Sequence, residues 1–409
     1  MFYSDDDNDQ GAYLRRRPSG FLHTPGMQVI AVFVALITVA VSAFAAGYVA
    51  AGGGQPNPFG ILQEAWSALD KYFYYPKPDQ KDQVNSAIQG LVSSFKDPHT
   101  LFLPPEPASQ VSAAMRGETG GIGVTLSETE DKRFVIIEVR RGWAYDQNGG
   151  EAGDEILAVD GVPVAGKTLN EVADTVRGPL NTQVTLTIKR AEVDDPIEIT
   201  CTRTQINVYG EMLPDNIAYL TFNTFNQTAP DEIRRQLETL LAKKPRALIL
   251  DIRNNGGGLL DESIAIADFF LEEGLVALEK LFNGETRKFT AKSGDLAETI
   301  PLVLLVNQRS ASASEILAGA IQDRKRGILV GQRTYGKGSV QGIFTLSDGS
   351  QLRVTQGAWY TPNETPIEGR DGQPSGLAPD IEVPLLTTGE IPFRDSELEA
   401  AVDHIKKTY

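Results

Sequence analysis

The chain has 409 residues, 41% of them hydrophobic, and a formal net charge of −16. That length has room for two or three domains with ordinary cores, and the acidic balance argues against nucleic acid, whose phosphates need concentrated Lys and Arg. One cysteine, Cys201, excludes an intramolecular disulfide and a cysteine metal cluster, and three scattered histidines supply no zinc-ligand pattern, so neither metal nor cofactor is expected.

Residues 1–26 are polar, carry Asp5-Asp6-Asp7 and Arg15-Arg16-Arg17, and read as a disordered cytoplasmic tail. Val29 to Ala51 contains no charge and, at about 1.5 Å per helical residue, is long enough to span a hydrocarbon core of about 30 Å. Residues 27–51 are therefore expected to be a single membrane helix, a signal anchor. The arginines before it place the N-terminus in the cytoplasm and the rest on the extracytoplasmic side of the cell membrane. Ala43-Phe44-Ala45 offers a small-residue cleavage site, which leaves a removed signal peptide as the alternative. Residues 52–110 begin as a Gly/Pro spacer and continue as a small helical region, with apolar residues at helical spacing over Ile61–Tyr75 and Val84–Phe95. His99 follows in the turn Asp97-Pro98-His99-Thr100, where a packing or capping role is expected.

Over residues 111–195 the pattern changes to strands. Gly121-Ile122-Gly123-Val124 precedes the strand-like Phe134–Val139. Then come Gly153-Asp154-Glu155-Ile156-Leu157-Ala158-Val159-Asp160-Gly161, a helical Leu169–Val176 and the alternating Val184–Ile188. This order and the GDEILAVDG phrase resemble a PDZ domain. The resemblance implies a β-sandwich or barrel in which Gly121, Ile122, Gly123 and Val124 form a loop that receives a peptide's terminal carboxylate. Gly142-Trp143-Ala144-Tyr145 departs from it, standing where a Ser-Pro-Ala-like segment is usual.

Residues 196–390 read as an α/β core, with strands at Ile217–Phe222 and Ala247–Asp251, a helix at Pro230–Ala242 and another at Glu262–Leu271. Asn254-Asn255-Gly256-Gly257-Gly258 ends the second strand, where glycines let backbone N–H groups approach a substrate. The apolar Pro301–Val306 leads through Ser310-Ala311-Ser312-Ala313-Ser314 into a helical Glu315–Ile321. Serines at helix starts are usually N-caps, yet the same turn can expose a nucleophile beside unpaired N–H groups. After Ile328–Val330, Gly336-Lys337-Gly338-Ser339-Val340-Gln341 sets a lysine between glycines. No histidine has a motif around it, which favours a buried lysine as the base for serine. Gly331 to Lys337 has P-loop spacing, but Gly338 replaces the magnesium-binding Ser/Thr and a strand follows where a P-loop needs a helix. Residues 391–409 close the chain with a helix over Ser396–Tyr409.

SASASEI followed by TYGKGSVQ resembles the signature of the C-terminal processing peptidases, or tail-specific proteases, which are serine peptidases with a Ser/Lys dyad. The likeness covers roughly residues 60 to 390. It implies Ser312 as nucleophile, Lys337 as base and Gln341 as the residue positioning the lysine. It implies Ala313 with Gly258, or the neighbouring Gly257, as oxyanion donors. The implied fold is a multidomain α/β (α+β) protein whose protease core is of crotonase-like type. The expected partners are protein or peptide substrates with accessible C-termini, the membrane through the N-terminal helix, and further copies of the chain, since family members assemble through such N-terminal helices. A catalytically inactive, membrane-tethered PDZ adaptor is the alternative.

Overall fold

The computed structural model describes residues 32–43, 58–204, 207–369, 375–384 and 395–409, and the chain divides into two compact units, Met1–Gln83 and Val84–Tyr409. In the first, residues 32–43 are helical and Pro58–Tyr72 forms a further helix that leaves Ile61, Leu62 and Leu69 exposed. Among the described residues no helix is long and apolar enough to cross a membrane, so the expected membrane helix is not found there. Residues 27–31 and 44–51 of that span, the tail 1–26 and most of the spacer lie outside the described residues. The helix expected from Val84 runs Gln80–Ser93.

Within the second unit, the strands Val124–Glu128, Phe134–Val139, Glu155–Val159, Gln183–Lys189 and Ile197–Thr202 form one antiparallel sheet in that order. Alternate residues turn inward, so Val184, Leu186 and Ile188 join Ile136, Ile156 and Val159 in a core closed by Val172 and Val176 of the helix Leu169–Val176. That helix starts with a capping box: Thr168 accepts from the Glu171 N–H while Glu171 accepts from the Thr168 N–H. Pro105–Arg116 is a helix the apolar periodicity did not reveal; its marks are proline in the first turn and Gly117 in left-handed conformation (φ 78°) at its end.

A second six-stranded sheet runs Val208–Leu213, Ile217–Phe222, Ala247–Asp251, Leu302–Val306, Ile328–Gly331 and Ile381–Glu382; all neighbours pair parallel except the first pair. Its central strands are buried at every position, and nearly all of them apolar, because both faces are covered. Leu220, Leu248 and Leu304 pack with Ile233, Ile266 and Leu317 of the helices Ala229–Leu241, Leu260–Asp268 and Ala313–Asp323. Tyr219, Ile249 and Leu305 meet Ala401 and Ile405 of the closing helix Ser396–Thr408 on the other face. A third sheet pairs Ser339–Thr345 and Leu101–Leu103 with the long strand Gln351–Tyr360, which continues to the hairpin Gly274–Leu281 and Thr286–Ala291. The chain leaves three adjacent parallel strands, at Asp251, Val306 and Gly331, through the glycine, serine and lysine loops. This is the edge at which open α/β sheets bind ligands.

Candidate active site

Of the three serines, two are structural. Ser310 Oγ donates to the Ile252 carbonyl (2.8 Å) and Ser314 Oγ to the Asn255 carbonyl (2.8 Å), both fully buried. Ser312 between them is half-buried and sits at φ 57°, ψ −114°, a conformation that side-chain-bearing residues rarely adopt. Its N–H donates to Glu315 Oε2 at 2.8 Å, and the N–H of Lys337 donates to the same oxygen at 2.9 Å. Glu315 Oε1 accepts from the Thr334 hydroxyl and the Gly336 N–H, each at 2.6 Å. One buried carboxylate therefore draws the serine and lysine loops together. Sequence reasoning missed it, although the spacing of Ser312 and Glu315 is that of a capping box.

The charges around this carboxylate oppose their ordinary states. Burial pushes the Glu315 carboxyl up, against hydrogen bonds from Thr334, Gly336, Ser312 and Lys337 that pull it down. Burial also lowers the Lys337 ammonium; the charge of Arg353 lowers it further, and Glu315 opposes both. A lysine shifted this way reaches its neutral, proton-accepting form at lower pH than an exposed one.

The glycine loop is threaded onto the serine loop by Asn255, a second residue not singled out from sequence. Asn255 is fully buried; its carbonyl accepts from the Ala311 N–H (3.1 Å), and its side chain donates to the Phe222 carbonyl (3.0 Å) and accepts from the Gly257 N–H (3.0 Å). Gly257 (φ 96°) lies so close that a Cβ there would be 2.7 Å from the Ala311 oxygen and 2.9 Å from the Ala313 nitrogen. With the Gly257 N–H committed to Asn255, the N–H groups of Gly258 and Ala313 are left without an acceptor among the described residues. Gln341 Nε2 donates to the carbonyl of His99, in the turn where Asp97 accepts from the His99 N–H (3.0 Å) and the Thr100 hydroxyl (2.6 Å). The Gln341 amide nitrogen is thus tied to that turn rather than to the lysine.

In the PDZ-like domain Gly121, at the start of the loop expected to receive a carboxylate, donates its N–H to the Thr204 carbonyl (3.1 Å). Ile122 and Gly123 keep N–H groups without an acceptor among the described residues, and Val124 opens the strand beyond. From this loop the Gly123 carbonyl accepts from Arg140 N–H (2.8 Å), and Arg140 Nη2 donates to the Asn254 carbonyl (3.3 Å), at the start of the glycine loop. Among the described residues no group of three His, Cys, Asp or Glu side chains could hold a metal ion.

The sequence matches Peptidase family S41 over residues 216–383 and the PDZ domain over 110–189. It is 36% identical over 317 residues to a carboxy-terminal-processing protease of Bartonella bacilliformis, covering 76% of this chain and 71% of that protein. The chain belongs to the C-terminal processing proteases of peptidase family S41. A carboxyl-terminal-processing protease of Synechocystis is 35% identical, with 83% and 81% covered. Among solved structures, the photosystem II D1 C-terminal processing protease superposes at TM-score 0.51 with 28% identity over 80% of this peptidase and 94% of its own chain. A putative S41 protease from Bacteroides fragilis shares the fold at TM-score 0.56, with 84% and 97% covered. The peptidase thus combines a PDZ domain with a serine protease core.

Proposed function

We propose that this peptidase is a membrane-anchored, extracytoplasmic serine endopeptidase that reads protein C-termini with its PDZ domain and cleaves through a Ser/Lys acyl-enzyme. The observation that carries the catalytic assignment is the single Glu315 oxygen shared by the backbones of Ser312 and Lys337. Ser312 Oγ attacks the peptide carbonyl, and neutral Lys337 takes its proton and returns it to the leaving amine. The N–H groups of Gly258 and Ala313 stabilise the oxyanion. Gln341, its nitrogen held by the His99 carbonyl, is assigned the task of orienting the lysine amine. Parallel strands joined by helical crossovers support the crotonase-like reading of the core. The bond from Arg140 to Asn254 supports a second element of the reading: a tail seated on the Ile122–Gly123 loop biases the glycine loop toward its aligned state.

Anchoring rests on the uncharged stretch Val29–Ala51 behind three arginines, and it sets the catalytic part outside the cytoplasm. Exposed Ile61, Leu62 and Leu69 on the helix Pro58–Tyr72 support homo-oligomer formation through that region. The deciding experiment is cleavage of a loosely folded protein by wild type and Ser312→Ala. Cleavage is expected only with wild type; equal proteolysis by both would leave a tethered PDZ adaptor.

A further inference from the structure

Three partly buried arginines of the core and the PDZ domain are answered by acceptors. Arg253 is bonded to Asp251, Asp395 and Glu397, Arg190 to Asp154 and Glu151, and the guanidinium of Arg326 donates to the carbonyls of Phe270, Ala297 and Ile300. Arg353, half-buried on the strand Gln351–Tyr360, is not answered in this way. Its Nε is shut away without a partner, and its two Nη groups, which keep accessible surface, make no hydrogen bond or ion pair with any described residue. A chain with 54 Asp and Glu against 38 Lys and Arg does not leave a cation alone for want of carboxylates. Withdrawing a guanidinium from water without an anion is costly, so the open Nη groups mark a place for an acceptor that arrives with a ligand.

Strand register identifies the surroundings. Leu101 lies opposite Arg353 on one side and Ile343 on the other, so the three side chains share one face of the third sheet. Gln351 and Thr355 stand on the same face, with Gln341 opposite Thr355. None of these neighbours carries a charge, and Ile343 is 56% exposed, so this end of the face is open. The face leads back to the dyad. Gln341 is fastened to the His99 carbonyl, its strand begins at Ser339, just past Lys337, and the charge of Arg353 is felt at the Lys337 ammonium. Ile343 stands six residues beyond Lys337, on the order of 20 Å along an extended chain.

We propose that Arg353 is a specificity residue whose Nη groups bind the side-chain carboxylate of an Asp or Glu in the substrate, within about six residues of the scissile bond. A planar guanidinium presents two parallel donors that match the two oxygens of a carboxylate. Asp and Glu are the side chains through which an unmodified polypeptide offers such an anion. This inference rests on the reading of Ser312 and Lys337 as the catalytic dyad.

The test starts with a loosely folded protein digested by the full chain, the cuts being located by mass spectrometry of the fragments. Asp and Glu are expected to be enriched at one or more positions within that reach of the cut. A pair of internally quenched peptides is then built around one such cut, alike throughout, C-terminus included, except for Glu or Gln at the enriched position. Their kcat/KM values are compared on the plateau of the wild-type pH profile, where protonation of Lys337 does not enter. Wild type should favour the Glu peptide about tenfold, mainly through KM. Arg353→Gln and Arg353→Met should bring the ratio to about one, and Arg353→Lys, which keeps the charge but not the fork, should retain part of it. The ratio cancels any general loss of folding or of lysine activation, which would act on both peptides alike. Absence of acidic enrichment in the wild-type cuts, or a preference that Arg353→Gln leaves unchanged, overturns the inference while the dyad stands. Equal cleavage by Ser312→Ala overturns both.

Discussion

Glu315→Gln and Glu315→Ala test whether one carboxylate organises the active site. The carboxylate meets four donors: Thr334 Oγ and Gly336 N at one oxygen, Ser312 N and Lys337 N at the other. A glutamine of the same size replaces one oxygen by an NH2 group. Turned toward Ser312 and Lys337, that group would face two N–H donors, neither of which can adjust. Turned toward Thr334, it faces one hydroxyl that can rotate and accept, and only the Gly336 N–H is stranded. The second orientation is favoured. One unpaired buried N–H costs about 1–3 kcal/mol, partly offset because an ionised carboxylate no longer has to be buried. Alanine strands all three N–H groups at once, so its cost should reach about 3–5 kcal/mol, a large share of an ordinary domain's stability. Urea unfolding and kcat on a loosely folded substrate measure both. Glutamine should lose little stability and part of its kcat, and alanine should lose both heavily. The sign of the pH effect follows from the raised carboxyl: the folded state holds this proton to higher pH than the unfolded chain, so the wild type gives up stability as pH rises through that range. Glu315→Gln should flatten that slope. An alanine variant as stable and active as wild type would refute the organising role.

Arg353→Gln removes a positive charge that helps depress Lys337, so the rising limb of the kcat/KM profile against pH should move upward, and activity at neutral pH should fall; an unmoved limb would separate Arg353 from the base. Gly257→Ala places a methyl against the Ala311 oxygen and the Ala313 nitrogen, and steady-state kinetics should show a loss in kcat of about a hundredfold or more, the scale of losing an oxyanion donor. Arg253 is bonded to Asp251 and Asp395 at 2.6 Å each, and to Glu397 at 3.1 Å, which joins the end of a central strand to the closing helix. Arg253→Met leaves these carboxylates facing one another, and chemical denaturation should register a loss of about 3–5 kcal/mol.

Much of the fold was legible because the parallel strands are buried on both faces. Ile217–Phe222 and Ala247–Asp251 are therefore nearly all apolar, with Thr221 and Asp251 the exceptions, and such runs show in the sequence. Leu169–Val176 was equally plain from its helical periodicity. Gln351–Tyr360 is one strand although Gln356 is skipped in its pairing with Ser339–Thr345, a bulge that local sequence does not announce. At the site, the run of glycines marked a loop that lies against Ala311 and Ala313. It could not tell that Thr204 takes the Gly121 N–H, because that acceptor is set by where the chain returns, whereas the bond from the Gly257 N–H to Asn255 is local, spanning two residues.

Sequence by itself determined the family, the order of PDZ domain and protease core, and the serine and lysine loops, all of which are written in local runs and short spacings. The tertiary structure alone decided that Glu315 unites those loops and that Gln341 is fastened to the turn of His99. It also decided that Trp143 lies against the carboxylate loop. Each of these is a hydrogen bond or contact between elements remote in the chain. A hydrogen bond acts only over about 3 Å, so its partner is chosen by folding and not by neighbourhood in sequence.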